Sequence, residues 1–275
     1  MRPNELFDLT GRVVVITGGA GLLGRRHAGA VAGAGAIPIL ADIHTDHLDR
    51  DRAGFADRFG SQAAIVGVDI TDPRSVEALL DDVLSRYGRV DVLINNAANN
   101  PKIEAGSHVE FSRLESFSLA QWQADLAVGL TGAFLCSQVI GGEMARRGSG
   151  VIVNVASDLA LIAPDQRLYR KAGLPEELQP VKPITYSVVK SALIGLTRYL
   201  ATYWAASGVR VNSISPGGVY TDQPEDFVQR LSNLIPLGRM ARADEYEGAI
   251  LFLCSDASSY MTGANLVVDG GRTCW

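Results

Sequence analysis

Cysteine is scarce in this chain, with three in 275 residues. Cys136, Cys254 and Cys274 are too few and too scattered for a disulfide framework or a metal site, so no metal is expected. Cys136 and Cys254 fall in apolar stretches of helical pattern and read as small buried hydrophobes. An excess of positive charge is also missing. A net charge of −5 gives no electrostatic footprint for nucleic acid or an anionic membrane. No unbroken apolar run reaches the roughly 18 residues that span a bilayer. The opening Met-Arg-Pro-Asn-Glu-Leu-Phe-Asp-Leu lacks the apolar core and cleavage site of a signal peptide, so a soluble, cytoplasmic protein is expected. Repeats, low-complexity tracts and linkers are absent as well. With 47% hydrophobic and 20% charged residues, the composition suits one globular domain over residues 1–275.

What is present is a regular alternation. Short β-branched runs at 12–17, 37–42, 63–68, 90–95, 150–156, 209–213 and 265–268 predict strands. Helical patterns fill the gaps at 22–33, 46–59, 73–87, 119–147, 184–206, 224–234 and 243–255. Most strands are apolar throughout, as strands covered on both faces are. The order predicts an α/β, Rossmann-type, doubly wound parallel sheet of seven strands in a three-layer α/β/α sandwich. Two segments break the rhythm. Residues 99–118 form a polar loop after the fourth strand. Residues 158–183 form a longer polar stretch studded with Pro164, Pro175, Pro180 and Pro183. A stretch of that length without periodicity reads as a lid or substrate-binding element.

Chemistry concentrates at three places. Tyr186 and Lys190 lie four residues apart, on one face of a helix. There an ammonium is expected to lower the pKa of the phenol and make it a usable base. Ser157 stands at the end of the fifth strand. The first strand runs into Thr17-Gly18-Gly19-Ala20-Gly21-Leu22-Leu23-Gly24 and then into a helix. Glycines there allow a tight turn and close approach of backbone to a pyrophosphate, which rests on the helix N-terminus. Asp42 ends the second strand about twenty residues on, where a carboxylate accepts from ribose hydroxyls and repels a 2′-phosphate. No arginine or lysine occupies the glycine turn or the two positions after Asp42, so NAD is expected over NADP. Asp69, at the end of the third strand, is read either as a contact to the adenine amino group or as a turn acid.

Together these features resemble the short-chain dehydrogenase/reductase family, over nearly the whole chain. Three further motifs strengthen the resemblance: Asn95-Asn96-Ala97-Ala98, Pro216-Gly217-Gly218-Val219-Tyr220-Thr221 and Val267-Val268-Asp269-Gly270-Gly271. It implies that Tyr186 is the general acid/base, that Lys190 tunes it and holds the nicotinamide ribose, and that Ser157 orients the substrate oxygen. The cofactor set it implies is Gly18, Gly21, Leu22, Leu23, Gly24, Asp42, Ile43, Asp69, Ile70, Asn95, Ala97, Tyr186, Lys190, Pro216, Gly217, Val219 and Thr221.

Three departures from the family pattern stand out. The glycines are spaced as in its longer branch, although chain length and the C-terminal pattern fit the shorter one. Gly129 stands where the family has a helix asparagine that anchors a proton-relaying water, which puts that relay in doubt. Ser157 and Tyr186 are further apart than usual. Polar residues near the motifs (Asn99, Asn100, Lys102, Asp158, Asp165, Gln166, Arg167 and Arg170) point to a polyhydroxylated substrate such as a sugar or sugar derivative. The expected activity is NAD-dependent interconversion of an alcohol and a carbonyl. A redox-neutral epimerase or dehydratase that retains NAD, and a catalytically silent NAD-binding protein, are the alternatives. The helices at 119–147 and 184–206 are more apolar than a single buried face requires, and with the resemblance they imply a homotetramer or homodimer.

Overall fold

A computed structural model describes residues 3–45, 52–99 and 112–275. Seven parallel strands form one sheet: β1 (Val13–Thr17), β2 (Ile37–Asp42), β3 (Ala64–Gly67), β4 (Val92–Asn95), β5 (Gly150–Val155), β6 (Val209–Pro216) and β7 (Asn265–Val268). Their spatial order is β3-β2-β1-β4-β5-β6-β7. The chain works outward from β1 to one edge, then returns to lay β4 on the other side of β1. That reversal opens a crevice at the C-terminal ends of β1 and β4, where doubly wound sheets bind ligands. The α/β, doubly wound expectation is met.

The helices are α1 (Leu22–Gly33), α2 (Arg52–Phe59), α3 (Pro73–Tyr87), α4 (Leu119–Arg147), α5 (Ile184–Tyr203), α6 (Glu225–Ser232) and α7 (Glu247–Cys254). They cover both faces of the sheet and divide the core in two. Val13, Val15, Ile39, Leu93 and Ile152 pack with α3, α4 and α5, while Val14, Ile16, Leu40, Val92 and Val153 pack with α1 and α7. Strands loaded on both faces must be apolar at every position, which is why their sequences do not alternate. Each such Val, Leu or Ile contributes about 1.5–3 kcal/mol by leaving water.

Several boundaries differ from the sequence reading. β6 runs on to Pro216 because Ile214, Ser215 and Pro216 pair with Leu266, Val267 and Val268 of β7. α5 stops at Tyr203, where the chain tightens into a 3-10 turn over Ala205–Ser207 and reverses at Gly208. The first part of the expected helix at 46–59 and most of the loop at 99–118, with Asn100 and Lys102, lie outside the described residues. α4 is long and apolar enough to cross a membrane by length and composition, but half of its most apolar window is buried inside the protein. It is interrupted by π-helical turns at Ala127–Thr131 and Ser137–Gly141.

The 158–183 segment contains only short 3-10 turns, at Asp158–Ala160, Gln166–Tyr169 and Glu176–Leu178. Its own side chains hold it. Gln179 donates to the carbonyls of Lys171 and Leu174 and accepts from the Lys171 amide, and Gln166 accepts from the Lys182 amide. Leu168 docks among Leu231, Ile235 and Met240, and the Tyr169 ring lies 5.8 Å from that of Phe227 on α6.

Candidate active site

The C-terminal ends of β1 to β6 open into one cleft of about 1130 Å³, floored by the glycine turn and roofed by the 158–183 segment and α6. At one end, β1 leaves the sheet at Thr17 and turns at Gly18, whose φ of +62° disfavours a side chain and where a Cβ would fall 2.8 Å from Ala97 Cα. A Cβ on Gly24 would fall 2.3 Å from the Gly18 carbonyl oxygen, so this glycine lets α1 pack against the turn and does not face the cleft. Thr17 Oγ1 accepts from the amides of Asn96 and Ala97, and the Asn96 side chain donates to the carbonyls of Thr17 and Gly18. The two loops of the crevice are thereby fixed to each other.

No side chain caps α1 at Gly21, leaving its first amides for an anion from outside the chain. Asp42 Oδ2 accepts from the Ala20 amide (3.0 Å) and Oδ1 from the His44 amide (3.0 Å). The carboxylate thus stiffens the glycine turn while bordering the cleft. An uncapped helix N-terminus beside a carboxylate fits a dinucleotide: Gly18, Gly21, Leu22 and Leu23 would take its pyrophosphate and Asp42 its adenosine ribose.

Of the other residues expected to line the cofactor, Ile43, Asp69, Ile70, Ala97, Tyr186, Lys190, Pro216, Gly217, Val219 and Thr221 border the cleft. Asn95 is placed otherwise. Its side chain is buried and donates to Asn154 Oδ1 (2.8 Å) and Ser137 Oγ (3.1 Å), bracing β4 to β5 and α4 behind the cleft wall. Asp69 follows the turn reading: its Oδ1 accepts from the Thr71 amide and hydroxyl, which hold its pKa below the usual carboxylate range. Gly217 is positioned by Tyr246, whose buried hydroxyl donates to its carbonyl (3.0 Å).

At the other end β5 delivers Ser157 and the first turns of α5 deliver Tyr186 and Lys190. Tyr186 Oη is 3.4 Å from Ser157 Oγ. Lys190, 5% exposed, donates to the Val155 carbonyl at 2.7 Å, and its Nζ lies 5.9 Å from the Tyr186 ring centre. The three residues meet as the sequence spacing implied. Their electrostatics differ from the expectation. Burial pushes the Tyr186 phenol above its usual value, against its hydrogen bond with Ser157 and the nearby Arg272 guanidinium, which pull it down. Burial lowers Lys190 to about 8, helped by the positive charge of Lys182. Lys182 itself, brought down by the 158–183 segment, has its Nζ 3.7 Å from the Tyr186 ring centre and is lowered to about 8 by burial. Two lysines, Lys190 buried and Lys182 half-buried, flank the phenol where sequence reasoning placed one.

The substrate end also contains a pair that sequence reasoning missed. Ser157 Oγ donates to Asp158 Oδ1 (2.8 Å), and Asp158 Oδ2 accepts from Arg272 Nη1 (2.6 Å). Both charges are almost fully buried. With its proton on Asp158, the Ser157 oxygen accepts from the Leu159 amide (3.2 Å) and from the Tyr186 hydroxyl. Arg272 directly follows the Gly270-Gly271 pair, but nothing in the sequence announces a return to a residue 114 positions earlier. The expected polar rim is realised in part. Asn99, Asp158 and Arg170 line the cleft, Asp165 and Arg167 pair with each other at the surface, and Phe227, Leu231 and Met240 add an apolar wall.

Gly129 lies in the first π-helical turn of α4, where a Cβ would fall 2.6 Å from Val189 Cγ1. Val189 fills the space a side chain would need. One turn earlier Asp125 is buried, accepting from Thr185 Oγ1 (2.5 Å), Gln121 Nε2 (2.8 Å) and Asn99 Nδ2 (3.4 Å).

Comparison with known proteins agrees with this geometry. Residues 12–169 match a family model described as short chain dehydrogenase, and residues 176–273 one described as enoyl-(acyl carrier protein) reductase. The chain is 34% identical over 274 residues to a D-threitol dehydrogenase of Mycolicibacterium smegmatis, covering 97% of this chain and 95% of that one. It is 35% identical over 269 residues to a cis-4-hydroxycyclohexanecarboxylate dehydrogenase of Sinomonas cyclohexanicum, covering 95% and 96%. The crystal structure of a gluconate 5-dehydrogenase from Burkholderia cenocepacia, in complex with NADP and tartrate, superposes with a TM-score of 0.84 at 29% identity over the full length of both chains.

Proposed function

Because the chain belongs to the short-chain dehydrogenase/reductase family, whose members interconvert alcohols and carbonyls with a nicotinamide cofactor, we propose that it is an NAD-dependent dehydrogenase of a polyhydroxylated small molecule, a polyol, sugar or sugar derivative. The observation that carries this reading is the convergence of Ser157, Tyr186 and Lys190 at the closed end of a cleft whose other end suits a dinucleotide. Asp42 supports NAD: a carboxylate there repels a 2′-phosphate, and His44 is the only basic residue among the described ones lining that end. The gluconate 5-dehydrogenase with bound NADP makes this preference a point for measurement. The threitol and gluconate dehydrogenases support a hydroxyl-rich substrate, as do Asp158, Lys182 and Arg272 in the cleft wall.

When bound, the nicotinamide supplies the hydride acceptor or donor. The chain does the rest. Ser157, turning its hydroxyl from Asp158 to the substrate, donates to the reacting oxygen and fixes it near Tyr186, leaving the substrate's own proton for the phenolate. In the oxidising direction Tyr186 takes the hydroxyl proton as phenolate; in the reducing direction it returns it. Lys190 and Lys182, while protonated, and Arg272 favour the phenolate against burial, which opposes it. The roof formed by residues 158–183 and α6 acts as a substrate lid on a single catalytic domain and excludes water from the reacting atoms. Exposed Leu119 and Phe134 on α4, with Tyr199 and Tyr203 on α5, support self-association into a homodimer or homotetramer through these two helices.

The test is NADH absorbance during incubation with NAD or NADP and threitol, glycerol, gluconate, sugar phosphates and nucleotide sugars, with Tyr186→Phe in parallel. NADH should accumulate with at least one polyol, and the variant should lose about 10²–10⁴ in rate. Undiminished turnover by Tyr186→Phe would sink the assignment. Conversion detected by mass without net NADH would instead establish the redox-neutral reading.

A further inference from the structure

Arg272 brings more hydrogen-bond donors to the cleft than the chain uses. It is 7% exposed and lines the substrate end. Its Nη1 is committed to Asp158 Oδ2. Its Nε is buried with no hydrogen-bond partner, and Nη2 donates to none of the described residues. Nε and Nη2 together form one edge of the guanidinium plane. Elsewhere in this chain the same edge grips carboxylates with two parallel bonds: Arg89 on Asp91, Arg146 on Glu143 and Arg167 on Asp165. Those three forks sit at the surface. The fork of Arg272 is buried and holds no carboxylate. A buried donor left unpaired is costly, which makes this edge a place for a ligand rather than for packing.

We propose that the Nε–Nη2 edge of Arg272 anchors an oxyanion of the substrate, a carboxylate or phosphate carried by the polyol, and so selects acidic over neutral substrates. The proposal rests on the reading of this cleft as that of a polyol dehydrogenase. Asp158 ties the anchor to the reacting atoms: its Oδ1 meets Ser157 Oγ and its Oδ2 meets Arg272, so the guanidinium lies one carboxylate away from the serine. Arg272 is also close enough to Tyr186 for its charge to favour the phenolate. A guanidinium fork fixes an oxyanion in orientation as well as position. With the oxyanion on Arg272 and one hydroxyl on Ser157, the substrate is held at two points. That attachment decides which hydroxyl of a polyol reaches Tyr186.

The charge around the anchor agrees. The roof brings Arg170, Lys171 and Lys182 to the same end of the cleft and α6 brings Arg230, in a chain whose net charge is −5. The carboxylates there, Asp158, Asp222 and Asp226, are fewer. Arg230, like Arg272, has a buried Nε without a partner. Lys182 and Lys190 are both lowered to about 8, chiefly by burial, and the charge of Lys182 helps to lower Lys190. An anion entering this end relieves that crowding of positive charge, and a neutral polyol does not.

Glucitol, gluconate and glucitol 6-phosphate test the anchor, because each acid differs from glucitol in one terminal group. Their Kd values are read by calorimetry on the NAD-saturated protein, which keeps the anions off the glycine turn. At least one acid should bind about tenfold to a hundredfold more tightly than glucitol. A preference for gluconate alone assigns a carboxylate to the anchor, and one for glucitol 6-phosphate alone assigns a phosphate. Arg272→Lys keeps a cation for Asp158 and lacks the fork, so it should erase most of that preference. The ratio of Kd values is read within one protein and does not depend on how much of the variant folds. Equal Kd values for the three compounds, or a preference that survives Arg272→Lys, overturns the anchor. NADH formation with Tyr186→Phe alongside separates the two readings. Turnover with no preference for the acids overturns the anchor alone, and turnover undiminished in Tyr186→Phe overturns the dehydrogenase reading on which it rests.

Discussion

The cofactor end of the cleft is built from backbone and the substrate end from side chains, and the two differ in how far along the chain they reach for their parts. The glycine turn, Asp42 and the Asn96–Ala97 loop all lie within the first hundred residues and are joined by short hydrogen bonds to amides. The substrate end draws Ser157 and Asp158 from the turn after β5, Tyr186 from α5, Phe227 from α6 and Arg272 from beyond β7. Backbone sites tolerate little change because a Cβ in the wrong place has nowhere to go. Side-chain sites depend on long-range pairs that a single substitution uncouples.

The largest effect on this contrast should come from Arg272→Met. It leaves Asp158 buried without its guanidinium, at a cost of about 3–5 kcal/mol. We expect a clear fall in Tm, lost turnover and, in the protein that remains folded, a Kd for NAD within twofold of the parent. Asp158→Asn added to Arg272→Met should restore most of the Tm without restoring activity. A Kd for NAD that weakens in step with Tm would show the two ends to be one cooperative unit.

His27 tests the cofactor end. It is buried in α1 behind the glycine turn with neither ring nitrogen bonded, and burial lowers it to about 4. The unfolded chain takes up this proton near pH 6.5 and the folded chain only near 4. Between those values the unfolded state binds more protons, so stability falls as pH drops from 6.5 through 4, by about 3 kcal/mol in all. His27→Leu should flatten that acid limb, as read by Tm between pH 7 and 4. An unchanged pH slope would place the acid sensitivity elsewhere.

The smallest effect expected is on cofactor choice. Asp42→Ser keeps a short polar side chain and removes the charge that opposes a 2′-phosphate. The ratio of kcat/KM for NAD to that for NADP should shift toward NADP by about tenfold or more. No shift would mean that specificity resides in the turn's shape.

The same contrast explains what was legible in the sequence. The seven strands were, because a strand covered on both faces must be apolar at each position, and β1, β2 and β5 read that way. So was Ser157–Tyr186–Lys190, since one strand end and one helical turn fix where those side chains point. Asn95 was misplaced because its motif reads like a loop contact, whereas a buried amide between two strands satisfies Asn154 and Ser137. Arg272 and Lys182 were not legible as site residues. Each acquires its meaning from a partner in another element, Asp158 for the first and the Tyr186 ring for the second. The pKa of Tyr186 was inverted for a related reason: spacing shows the ammonium but not the loss of water around the phenol.

Arg272 has a further consequence in time. A ribosome that has released residue 99 has already made all of the glycine turn, β2 and β4, so the crevice for the dinucleotide has its materials early. The ion pair that steadies Ser157 must wait until residue 272 has emerged and β7 has docked on β6. Until then Asp158 faces the interior without its counter-charge. The nascent protein therefore has the parts for the adenosine and pyrophosphate end of its cofactor before it has those for the nicotinamide end and the substrate.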